Sequence, residues 1–297
     1  MDVFKKPPFA ARFMCIAACA AAVAASAANI VVMLRYYESS VNLYVSGSVI
    51  PSALNIAIAA VAAVLLCSGL FVGRGRLSAS LAPMSQFAVF ASGLCGFLCA
   101  ATAVMRVYEY VTGAFSVKTD DVSTIFACIA ALLAIPACIY FISQAVSASV
   151  KRTPHIITGF FVIIWGALTL VSAYFDMTTP LNSPPRILNQ IACIALMIYM
   201  LYELRYPLGA ARPRHFLSFG CASIFILTVN GISTVALTFF GMFTVGYQTV
   251  LAIFQIAMAI YILSRELSLV GAPEDTATAE SDAAIKKKAP ADTAKNA

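Results

Sequence analysis

Eight stretches of the chain are almost wholly apolar, at about 13–34, 49–72, 84–105, 123–147, 156–175, 186–204, 216–240 and 244–264. A helix needs roughly 20 apolar residues to cross about 30 Å of hydrocarbon, and each stretch meets or nearly meets that length. Composition agrees. Of the 297 residues 61% are hydrophobic and only 11% are charged, whereas a soluble globule carries about 25% charged residues to cover its surface. The sequence predicts an all-α polytopic membrane protein with about eight transmembrane helices in contact with the lipid bilayer.

Local signals sharpen several boundaries. Pro184-Pro185 opens the sixth span, where proline fits because a first-turn N–H has no helical partner anyway. Pro136 falls inside the fourth span and predicts a kink there. Lys5-Lys6, an apolar run and Ala25-Ser26-Ala27 resemble a cleaved secretory signal. The run continues through Ile30–Leu34, however, which favours an uncleaved helix.

The net charge of +6 lies mostly in short loops, which argues for membrane orientation and against nucleic acid as a partner. With the N-terminus inside, eleven Lys and Arg fall in inner segments: Lys5, Lys6, Arg12, Arg74, Arg76, Lys151, Arg152, Arg205, Arg212, Arg214 and Arg265. Four fall outside, Arg35, Arg106, Lys118 and Arg186. Both termini are therefore expected in the cytoplasm, with the plasma membrane as the location. The expected divisions are a cytoplasmic N-terminus at 1–12, a four-helix half at 13–147, a linker at 148–155, a second half at 156–264 and a disordered tail at 265–297. Lys286-Lys287-Lys288 reads as a solvated charge run within that tail.

The two halves share features in the same order. Glu38 and Asp176 follow aromatics at an offset of 138, PSALN and PRILN place Asn55 and Asn189 at 134, Phe87/Phe90 and Phe216/Phe219 match at 129, and IYFIS and IYILS match at 121. Offsets that fall steadily fit a duplication with shorter loops in the second copy. Four spans per copy is an even number, so the expectation is two parallel four-helix repeats with a site between them.

Candidate chemistry is sparse. Ionisable residues near a midplane mark ion and proton paths. No span carries one, which disfavours proton-coupled pumping; Glu203, Arg205, His155 and His215 fall at inner ends. Neutral amides remain: Asn29, Asn55, Asn189, Gln190, Asn230, Gln248 and Gln255. Each amide must find a partner in hydrocarbon, so each serves as interhelical glue or lines a path for a neutral or zwitterionic solute. Glu38, Glu109 and Asp176, with Asp120 and Asp121, could form an outer mouth. RYYE and RVYE place Arg three residues before an acid, a pair that contributes only about 0.2–0.5 kcal/mol when exposed.

The nine cysteines sit in apolar runs without His beside them, so packing is their expected role; no metal or cofactor is expected. Small-residue stretches at 17–29 and 92–96 favour close helix packing and admit a homodimer seam or a membrane partner subunit. No Walker loop or HExxH occurs, and no enzymatic activity is expected. Two functions follow from this reading: a transporter or permease component, or a non-catalytic sensor or accessory subunit.

Overall fold

Each apolar run forms one helix in the computed structural model, which describes residues 9–38, 40–45, 47–72, 77–112, 122–146, 152–176 and 179–271. The helices are α1 (Phe9–Tyr36), α2 (Val49–Ser68, continued by a 3-10 turn to Phe71), α3 (Gln86–Val111), α4 (Val122–Val146), α5 (Arg152–Phe175), α6 (Pro184–Leu204), α7 (Pro213–Phe239) and α8 (Tyr247–Glu266). All eight are long and apolar enough to cross a membrane. The chain is a multi-pass membrane protein. Pro184 and Pro185 occupy the first turn of α6, and Pro136 lies inside α4.

Two short two-stranded pairings mark the two ends of the bundle. Strands β1 (Tyr37–Glu38) and β2 (Leu43–Tyr44) pair in the α1–α2 connection, at the distal end. Strands β3 (Leu77–Leu81) and β4 (Leu269–Gly271) pair antiparallel at the opposite, proximal end. Residues 265–271, which the sequence suggests belong to a loose tail, thus finish α8 and add a strand. Residues 1–8 and 272–297 lie outside the described part.

The packing groups the helices as six and two. Helices α3 to α8 close a ring, each touching the next and α8 touching α3. Helices α1 and α2 lie outside it against α7. Contacts are shared unequally between the sequence halves: α7 meets α1, α2, α6 and α8, while its counterpart by sequence offset, α3, packs chiefly on α4 and α8.

Small residues explain why α7 can take so many neighbours. At Gly231 an added Cβ would stand 2.6 Å from Ile256 and 2.8 Å from the Ala252 carbonyl, so the α7–α8 crossing is closer than alanine permits. Serines contribute hydrogen bonds between helices: Ser92 donates to the Phe141 carbonyl, Ser223 to that of Ala195, and Ser123 and Ser172 each to the other's carbonyl. The outward faces are the apolar ones, with Ile56, Val64, Phe97, Val104 and Leu132 all mostly exposed. Such a surface faces lipid, where tails are as apolar as leucine.

Candidate functional site

Three of the amides meet. Asn189 of α6, Asn230 of α7 and Gln255 of α8 are 8%, 3% and 2% exposed. Asn230 Nδ2 donates to Gln255 Oε1 at 2.6 Å and to Asn189 Oδ1 at 3.3 Å, and Gln255 Nε2 donates to Asn189 Oδ1 at 2.9 Å. The triangle fastens three consecutive helices. It leaves two polar groups, Asn189 Nδ2 and Asn230 Oδ1, without a partner among the described residues.

Asn189 and Asn230 also form the floor of a cavity of about 440 Å³ at the distal mouth of the ring. Its walls come from all six ring helices: Arg106 and Glu109 of α3, Ser123 of α4, Ser172 of α5, Arg186 of α6, Thr234 and Thr238 of α7, and Tyr247, Gln248 and Thr249 of α8, with Asp176 just beyond α5. Hydroxyl-bearing and charged residues make up most of the residues in this lining. By helix rise, Asn230 lies about 13 Å along α7 from its distal end.

The charged residues of the wall are held in place. Arg106 lies 3.7 Å from the centroid of the Tyr247 ring, a cation–π contact. It also pairs with Glu109 at 3.8 Å. Glu109 Oε1 accepts the backbone N–H of Tyr247, in the first turn of α8, where the helix dipole favours an anion. Gly246 makes room for it, since a Cβ there would stand 2.4 Å from Glu109 Oε1. The Arg106–Glu109 pair, expected as a weak exposed contact, is thus partly buried and ties α3 to α8. Arg186 is buried. Its guanidinium donates to the Tyr174 carbonyl at the end of α5 and to the Thr179 carbonyl, closing the α5–α6 connection. Asp176 accepts from Thr179 Oγ1 at 3.1 Å.

The remaining candidates lie elsewhere. Gln248 is exposed at the cavity rim, and Gln190 is half-buried without lining this cavity. Asn55 is exposed and lines a neighbouring crevice of about 400 Å³ with Asn29, between α1, α2, α6 and α7, which shares Asn230 and Thr234 with the cavity. Asn29 donates to Ser233 at 3.0 Å. Glu38 stands exposed in β1, accepting from Ser40, and does not line the cavity. Lys118, Asp120 and Asp121 lie outside the described residues.

Sequence reasoning counted Arg106 and Arg186 as loop charges and missed them as wall residues. For Arg186 a signal exists: it follows Pro184-Pro185 directly, so it must sit in the first turn of an apolar helix. Compared with protein families, curated proteins and solved structures, the chain matches none.

Proposed function

We propose that this protein is a permease for a small neutral or zwitterionic solute, which enters the six-helix ring through the distal cavity. The observation that carries the reading is the floor of that cavity. There an amide N–H group and an amide carbonyl, both without partners among the described residues, stand at the bottom of a polar funnel. Free donors and acceptors beneath a hydroxyl-rich wall suit a solute that must exchange water for protein hydrogen bonds. Two arginines and two acids line the wall, a balance that favours neither a cation nor an anion.

A second cavity, of about 470 Å³, stands at the proximal mouth of the same ring. Between them Trp165, Phe254 and Phe141 pack edge to face, with centroids 5.0 and 6.2 Å apart, and close the axis. A path shut in the middle keeps the two mouths from joining, as alternating access demands of any one state. We place both termini in the cytoplasm of a plasma-membrane protein, from the Lys and Arg distribution. Helices α1 and α2, outside the ring, offer the face for a second copy or a membrane partner subunit.

The alternative, a non-catalytic sensor or accessory subunit, draws on the mutual bonds of the amides, which act as glue whether or not a solute passes. Thr234→Cys in a chain without its native cysteines separates the two. Thr234 lines the cavity one turn from Asn230. A water-soluble thiol reagent should modify it promptly, and leave Ile224→Cys, fully buried on the same helix, unmodified. An inert Thr234→Cys would hand the case to the accessory reading.

A further inference from the structure

The proximal cavity holds a cluster of polar side chains, Tyr140, Gln144, His155, Glu203 and Arg265, in an otherwise apolar lining. It opens between the α2–α3 connection and the proximal ends of α4, α5, α6 and α8. Two of its lining side chains, Glu203 at 2% exposure and His155 at 8%, each carry a buried atom without a partner among the described residues: Glu203 Oε2 and His155 Nδ1.

Their neighbours define what those atoms can do. Glu203 Oε1 accepts from the Tyr261 hydroxyl at 2.6 Å and from Arg265 Nε at 2.9 Å. The Nη groups of Arg265 have no partner among the described residues, and Arg265 also lines the cavity. His155 Nε2 lies 2.8 Å from Gln144 Nε2. An amide nitrogen only donates, so the ring Nε2 accepts and the N–H is on Nδ1. Gln144 Nε2 also donates to the Tyr140 hydroxyl at 3.2 Å, and Tyr140 stacks on the imidazole at 4.6 Å, so amide and ring are both oriented. The cavity is therefore lined by side chains that carry a guanidinium fork, an imidazole N–H and a carboxylate, with the unpartnered His155 Nδ1 and Glu203 Oε2 themselves covered.

We propose that this cavity is a second solute site, for a small zwitterion whose carboxylate meets Arg265 and the His155 N–H and whose ammonium meets Glu203. Glu203 and Arg265 already neutralise each other, so an ion of one sign would add a net buried charge, which is costly. A zwitterion answers both, through charge-assisted hydrogen bonds that a forked guanidinium forms well. The volume is many times the roughly 30 Å³ of a single water. The proposal deepens the permease reading and rests on it: the zwitterion class comes from the proximal site, and the distal cavity is its way in.

The reporter is Ala82→Cys, at the cavity mouth and apart from the ion pair, in a chain without its nine native cysteines. The full chain is placed in nanodiscs and its modification by a water-soluble maleimide is timed with L-alanine, propionate or ethylammonium. L-alanine should slow modification, with each half-molecule at least about tenfold weaker, as expected when one charged contact is lost. Glu203→Gln should remove the protection. Should that variant not fold, His155→Phe keeps the stack on Tyr140, lacks the N–H, and should weaken it. Equal protection by propionate and L-alanine would overturn the zwitterion assignment. Protection of Thr234→Cys but not of Ala82→Cys would overturn the proximal site and leave the permease reading standing. No protection at either position, with Thr234→Cys still reactive, overturns the site while the distal water path survives.

Discussion

A leucine at position 230 would test the amide triangle most directly. Asn230 supplies two of the three bonds, so Asn230→Leu leaves Gln255 Oε1 without a donor and Asn189 Oδ1 with one. Interhelical hydrogen bonds of this kind contribute about 0.6–2 kcal/mol. A loss of stability of that size is expected in unfolding from detergent micelles. Unchanged stability would mean that the three helices do not depend on the triangle. At this scale the sequence also hides a residue: Glu266 is fully buried, neither carboxylate oxygen has a partner among the described residues, and Gly220 lies against it. It ends an apolar run beside Arg265 and so looks like the first residue of a polar tail.

Helix α7 is the element on which the bundle depends, and its glycines mark where other helices come closest. Gly231→Ala must push its methyl against the Ala252 carbonyl and Ile256. Backbone cannot give way as a flexible side chain can, so a loss of about 1–3 kcal/mol is expected, as for other overpacked cores. Gly93 in α3 is the control. There an added Cβ would find only the Ala145 methyl, at 3.8 Å. Gly93→Ala should be neutral or stabilise by up to about 1 kcal/mol, since alanine is the better helix former. Thermal unfolding of both variants checks the pair. Equal effects would show that the α7–α8 crossing is looser than described.

At the scale of the whole molecule, the described residues form a ring of six helices with two more against one side, apolar outward and with polar side chains at both mouths. Pairing of β3 with β4 brings the α2–α3 connection and the end of α8 to one side, as an even number of crossings between them requires. The Lys and Arg distribution then assigns that side to the cytoplasm. Ser78, half-buried in β3, and Thr244, exposed in the α7–α8 connection, probe opposite ends. In intact cells an impermeant thiol reagent should label Thr244→Cys and spare Ser78→Cys. The reverse pattern would invert the orientation, and labelling of both would sink the eight-span topology.

Helix number, length and the positions of the turns were legible in the sequence because they are local properties. A span satisfies its own backbone hydrogen bonds and needs only enough apolar residues to cross. The kinds of residue in the candidate site were legible for the same reason: amides stand out in apolar runs. Which amides meet was not. PSALN and PRILN are nearly the same local signal, yet Asn55 ends exposed on α2, outside the ring, while Asn189 joins Asn230 and Gln255 within it. Lipid is as apolar as a helix neighbour, so no hydrophobic stripe reveals the interior face. Close approach at small residues and pairing of polar groups decide it, and both depend on helices far apart in the chain. For that reason Arg106, Arg186 and Arg265, loop or tail charges by sequence alone, acquire their partners and their places in the two cavities only from the tertiary fold.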